Sequence, residues 1–197
     1  TNLDECKSIF KNFDIIFHCA GVGMTATALK INPFKGLLDN LTIHTNVIES
    51  IKNNPPSKFI WLSSTTGYPD SKNDLSEDDY FSKKVSKRYE IVGEHHRLME
   101  IIINKISLGE CNVITLRPTG VFGEGCDFSP DSSLTLPKII RDCHLNLLPK
   151  TIFAQKEEKR NWIYVGDVIK ALDEIITNVN LCITLNIGAN KSMVRNC

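Results

Sequence analysis

Four hydroxyl residues stand in a row where an apolar run ends, in Phe59-Ile-Trp-Leu-Ser63-Ser64-Thr65-Thr66-Gly-Tyr68. A hydroxyl both donates and accepts, so such a cluster at the carboxyl end of a strand can orient a carbonyl or an alcohol. It is also the composition of an ordinary strand-ending turn. A second stretch, Leu116-Arg-Pro-Thr-Gly-Val-Phe-Gly-Glu-Gly125, enters a glycine-rich loop through Pro118, rigid backbone followed by permissive backbone. A third, Arg160-Asn-Trp-Ile-Tyr-Val-Gly-Asp167, sets a cation before a short apolar run and an acid at a helix start, where the acid also serves as a cap.

The run Asp14-Ile-Ile-Phe-His-Cys19-Ala20-Gly21 ends in small residues, which let a flat ligand lie close to the backbone. The next residues, Gly21-Val-Gly23-Met-Thr-Ala26, fit a dinucleotide-type glycine pattern, with Asp39 18 positions beyond Gly21 (39 − 21). That fingerprint requires a helix at once and the acid at the end of a second strand. Pro33 interrupts, and Asp39 falls inside a helical period, so the stretch reads as a small-residue turn.

The elements that position these residues alternate. Strands are expected at Asp14–Cys19, Lys58–Ser63, Asn112–Arg117, Thr151–Ala154 and Cys182–Ile187. Helices are expected at Pro33–Asn53, Ser86–Leu108, Leu136–His144 and Gly166–Asn178, the first with Leu37, Leu41, Thr45, Ile48 and Ile51 on one face. Strands this apolar, separated by helices, predict a doubly wound α/β fold with a parallel sheet covered on both faces. Loops at Gly21–Asn32, Thr65–Lys83 and Gly120–Ser133 each follow a strand's carboxyl end, where open α/β sheets bind ligands.

Lys plus Arg and Asp plus Glu both number 23, so no positive field draws the chain to nucleic acid or an acidic membrane. No apolar run approaches the roughly 20 residues that span a bilayer, and Thr1–Lys11 lacks the pattern of a signal peptide. The 7 cysteines are scattered without zinc or dithiol spacing, which predicts no metal site and a reducing, cytoplasmic setting. A chain opening at Thr1 directly into a helical pattern is expected to be a fragment.

In this order, Asp14–Ala20, Thr45–Glu49, Phe59–Ser64, Leu116–Gly125 and Arg160–Val168 resemble the extended short-chain dehydrogenases, or NAD-dependent epimerase/dehydratase family. The last two motifs are fairly specific together, and the resemblance runs from about Asp14 to Gly188. It implies a Rossmann-like sheet lacking its N-terminal cofactor-binding unit. Residues 1–118 would form a partial NAD(P)-binding core, and 119–197 a smaller part with substrate loops and the final sheet elements. It implies NAD or NADP as cofactor, contacted by Cys19, Ala20, Gly21, Ser63, Pro118 and Thr119. A small-molecule carbonyl, alcohol or sugar-type substrate would meet Gly120 and Arg160, and the family's habit of pairing two helices implies a homodimer.

For catalysis the family uses a Ser or Thr, a Tyr, and a Lys four residues after the Tyr; a phenol with a pKa near about 10 needs such a cation at neutral pH. Ser64 takes the hydroxyl position, and Tyr89 lies 25 residues beyond it (89 − 64), but Gly93 occupies the Lys position. Tyr80-Phe-Ser-Lys-Lys84 fits the spacing too early, within an acidic loop. Aligning Glu100 with the Glu late in the family helix leaves Val92 and His96 in the two places, so no Tyr–Lys pair remains. His95 and His96 either replace the lost cation or form an exposed polar face. Gly120, where sugar-nucleotide members carry Asn, favours a ketone or alcohol substrate. A cofactor-binding protein without turnover, or an inactive truncated fragment, is the alternative.

Overall fold

The computed structural model describes residues 2–23, 32–105, 109–129, 134–147, 159–190 and 193–194. Helix α1 (Leu3–Ile9) starts at Asn2, whose side chain accepts from the Asp4 N–H. Strand β1 (Ile15–His18), helix α2 (Pro33–Lys52), strand β2 (Lys58–Leu62), helix α3 (Glu90–Lys105) and strand β3 (Asn112–Pro118) follow. Then come β4 (Gly120–Phe122), α4 (Thr135–His144), β5 (Lys159–Arg160), β6 (Trp162–Tyr164), α5 (Val165–Asn178), β7 (Ile183–Ile187) and β8 (Met193–Val194).

The main sheet is parallel throughout, in the order β1-β2-β3-β7. Its β2 strand shows why the runs are apolar without alternation. Phe59 and Trp61 enter the core under α2 and α3, while Ile60, between them, enters the core under α5 with Ile114 and Leu116. Each such side chain stabilises the fold by roughly 1.5–3 kcal/mol through burial. Helices on both faces make the fold the doubly wound α/β type that the sequence predicts.

Several expectations shift. The glycine-rich stretch after β3 opens with β4, which pairs in parallel with β6 and so joins two motifs far apart in sequence. The α3 region begins as a tight 3-10 turn at Lys87–Tyr89 and becomes α-helical at Glu90. On α2 the buried stripe runs through Asn40, His44, Val47, Ile48 and Ile51, and Thr45 faces solvent. The stripe is rotated because His44 meets His18 of β1, Nδ1 to Nε2 at 2.7 Å. The strand expected at Thr151–Ala154 lies outside the described residues. Among the described residues, no helix is long and apolar enough to cross a membrane.

Candidate active site

The parallel register pairs His18 with Trp61 and Leu62 with Leu116, so three strands end side by side. From those ends emerge Cys19–Gly21, Ser63–Ser64 and Pro118–Thr119. Cys19, Ala20 and Gly21 are exposed there. Their turn is held by Asn40, a buried amide on α2 that sequence reasoning missed. Its Oδ1 accepts from Val22 N–H at 2.6 Å and its Nδ2 donates to the Val22 carbonyl at 3.0 Å. The sequence offered no signal for it, because the apolar period of α2 runs through Leu37, Leu41, Ile48 and Ile51 and leaves Asn40 out. Among the described residues, no heavy atom lies within 4 Å of where a Gly23 Cβ would stand.

Ser63 and Ser64 take different roles. Ser63 is buried and donates to Glu100 Oε1 at 2.6 Å, which ties its hydroxyl to the carboxylate on α3. Ser64 caps the 3-10 turn Thr65–Gly67, accepting from Thr66 N–H at 3.1 Å and Thr66 Oγ1 at 2.9 Å. With both bonds arriving at Oγ, the Ser64 proton remains to donate outward.

Glu100 and Arg117 anchor this corner from beneath. Arg117 Nη2 reaches Glu100 Oε2 at 2.7 Å and its Nε reaches Oε1 at 3.0 Å, a bidentate pair. Arg117 Nη1 donates to Tyr68 Oη and to the Glu77 carbonyl. Tyr68 in turn donates to Asn186 Oδ1, and Glu77 Oε1 accepts from Asn186 N–H. The acidic loop is thereby strapped across the end of β7.

The two tyrosine registers separate clearly. Tyr80 is fully buried and donates to the Ser64 carbonyl at 3.0 Å, so it does not present its phenol to a ligand. Burial, reinforced by Glu100, raises its pKa. Tyr89 is partly exposed, ends the turn before α3, and accepts from Arg160 Nη1 at 2.7 Å. Gly93 is set by packing: a Cβ there would lie 2.4 Å from Val85 Cγ1 and 2.5 Å from the Thr66 carbonyl. A lysine at that position has no room.

Two further sites gain a physical reason. Thr119 donates its N–H to the Ile187 carbonyl and its Oγ1 to Asn161, and its methyl lies against Gly188. The Pro118 carbonyl accepts from Thr65 Oγ1 at 3.3 Å. Gly120 lies against Trp162, whose ring would come within 2.4 Å of a Cβ. The Trp162 ring gives a packing reason for the small residue there.

His95 and His96 turn inward, contrary to an exposed polar face. With His18 and His44 they form a chain of ring contacts, His44 stacking on His95 at 5.2 Å and His96 tilting over Trp61 at 6.0 Å. Both ring nitrogens of His95 and Nδ1 of His96 are buried without a hydrogen-bond partner among the described residues. Burial lowers the pKa of His18 to about 4 and of His96 to about 3. Neutral imidazoles cannot stand in for a lysine cation. Among the described residues no group of three or more His, Cys, Asp or Glu is placed to hold a metal ion.

A doubly wound parallel sheet with small residues and hydroxyls converging on the carboxyl ends of its strands defines a Rossmann-like protein. The model of the NAD dependent epimerase/dehydratase family matches residues 1–188, and the chain belongs to that family. A GDP-L-fucose synthase of Azorhizobium caulinodans is 27% identical, covering 91% of this chain and 60% of the synthase. Among solved structures, a UDP-N-acetylglucosamine 4-epimerase from Methanobrevibacter ruminantium M1, in complex with UDP-N-acetylmuramic acid, superposes with a TM-score of 0.83 at 23% identity. It covers 98% of this chain and 61% of that one. A GDP-L-fucose synthetase from Naegleria fowleri bound to NADP gives a TM-score of 0.81 at 18% identity, covering 98% of this chain and 66% of that one. The chain thus spans about 60% of the length of the synthase and the epimerase it matches.

Proposed function

We propose that the whole protein is a nicotinamide-dependent oxidoreductase or epimerase acting at a hydroxyl or keto carbon of a sugar-type substrate. The observation that carries this is the Tyr89–Arg160 contact, at 2.7 Å, between a helix start and the motif that opens β6. The guanidinium donates to the phenol oxygen, which leaves the Tyr89 proton directed elsewhere and able to pass to or from a substrate oxygen. Tyr89 stands one helical turn before Gly93, and Gly93 abuts the Thr66 carbonyl of the turn that Ser64 caps. Ser64 then donates to the same substrate oxygen, and Arg160 takes the place of the missing lysine cation.

The exposed backbone at Cys19, Ala20 and Gly21, with Pro118 and Thr119 at the end of β3, suits a flat nicotinamide ring, NAD or NADP. When bound, that ring accepts or delivers the hydride. The sugar-type substrate is favoured over a simple ketone because the relatives' names refer to nucleotide sugars and Gly120 has a packing explanation. Two-helix pairing through α2 and α3 would make the protein a homodimer.

A second reading, a cofactor-binding protein without turnover, is favoured by the Glu100–Arg117 pair. If Glu100 sets the helix register, Val92 and His96 stand where the family's Tyr and Lys belong. The test uses full-length protein, NAD⁺ and NADPH, and a panel of UDP-sugars, GDP-sugars and simple ketones, followed by nicotinamide absorbance and product analysis. Turnover that falls about 100-fold or more in Tyr89→Phe, with cofactor binding kept, is the expected result. Turnover indifferent to Tyr89 overturns the assignment, and tight cofactor binding without turnover across the panel establishes the second reading.

A further inference from the structure

Tyr80 occupies an unusual position for a residue in an acidic loop. Its ring is fully buried, with the Arg117 guanidinium 3.6 Å from the ring centroid and that of Arg97 at 5.6 Å. Tyr68 and Phe81 meet its edges at 4.8 and 5.1 Å. Arg97 also donates to the Tyr80 carbonyl and, at 2.8 Å, to the Gly67 carbonyl. Gly67 has no Cβ for a reason of space: one would fall 2.1 Å from the Tyr80 phenol oxygen. The phenol passes through that gap to reach the carbonyl of Ser64.

The ring contacts thus hold a hydroxyl that donates to the Ser64 carbonyl and lies beside the Ser63 hydroxyl and the Glu100 carboxylate. We infer that Tyr80 is a positioning residue for Ser64, fixing the Ser64 peptide so that its hydroxyl keeps the outward direction that the Thr66 bonds leave open. The inference rests on the Ser64 role proposed above. Tyr80 touches no ligand itself; the two arginines hold its ring, and the ring holds the peptide. A part-buried carbonyl that loses its donor is left unsatisfied, so the peptide reorients and the capped turn loosens.

The test is Tyr80→Phe in the full-length protein, which keeps the ring stack and removes only the hydroxyl. Amide hydrogen exchange is read first, because it needs no substrate. We expect exchange at residues 64–67 to rise about tenfold while β2 and α3 stay unchanged. No change there, or a rise across the whole sheet, overturns the positioning role. With a substrate from the panel, Ser64→Ala, Tyr80→Phe and the double variant form a cycle. If Tyr80 acts through Ser64, each single variant lowers kcat with KM little changed, and the second substitution adds nothing. A damaged Ser64→Ala beside a normal Tyr80→Phe, or losses that multiply, overturns the positioning role alone. A fully active Ser64→Ala overturns the Ser64 assignment as well.

Discussion

Glu100 of α3 and Arg117 of β3 form a bidentate ion pair with Nη2 2.7 Å from Oε2, their side chains 0% and 4% exposed. Arg117 also lies flat on Tyr80 and bonds Tyr68, so this pair joins a helix, a strand and the loop over the strand ends.

Removing one partner leaves the other charged and buried. Glu100→Ala should cost about 3–5 kcal/mol of unfolding free energy in urea titrations. Glu100→Gln, which keeps an acceptor for Ser63, should cost less. Equal stability of Glu100→Ala and the parent would mean that Arg117 finds solvent, against its burial.

Gly93→Lys restores the family's spacing after Tyr89 yet should not restore chemistry. The side chain would drive into Val85 and the Thr66 carbonyl, with a loss of about 1–3 kcal/mol in thermal unfolding. Gly93→Ala should already lower the melting temperature. A stable and more active lysine variant would show that α3 can shift away from the turn.

The imidazole chain makes stability depend on pH. His44 is lowered to about 3 by burial and by its histidine neighbours, and His18 and His96 are lowered by burial to about 4 and about 3. Each folded pKa lies below the ordinary value of 6.5, so between the two the unfolded chain binds more protons. Stability is therefore full above about pH 6.5 and falls as pH drops toward 3–4, by up to about 1.4 kcal/mol per pH unit for each such group. His96→Leu should reduce the slope of unfolding free energy against pH by about one proton's worth, measured between pH 4 and 6.5.

Asn40→Leu removes both bonds to Val22 while keeping the side chain's bulk. The turn after β1 should then lose its shape, and NAD(P)H affinity of the full-length protein should fall about tenfold. Asn40→Asp keeps the acceptor and should fall between. Unchanged affinity in both variants would separate that turn from cofactor binding.

Arg160→Met keeps an apolar stem but no donor for Tyr89. Its kcat should fall by about 10- to 100-fold, and Arg160→Lys should recover part of it. A loss confined to KM would place Arg160 on the substrate alone.

The sheet was readable because β2 and β3 are buried on both faces and carry apolar runs bounded by polar turns. The strand β4 was not, because three residues, the first of them a glycine, carry no period. Tyr80 could not be read as buried, since its neighbours Glu77, Asp78 and Asp79 are those of a solvated loop. What buries it are Arg97 and Arg117, distant in sequence. The histidines posed the same difficulty: His95 and His96 sit on a helix whose inward face is defined only when His18 and His44 arrive from β1 and α2. Ser64 and Arg160 were legible as motif residues, whereas the pairing of Arg160 with Tyr89 depended on tertiary folding.

The close approach of Gly120 and Trp162 constrains how this protein can change. A side chain at 120 needs the volume the indole occupies, so a larger residue is acceptable only after 162 has become smaller. A smaller residue at 162 first opens a void beside β4 and weakens its pairing with β6. The two positions are thus tied in order as well as in kind, and a new polar contact at 120 is reachable only through a less stable intermediate.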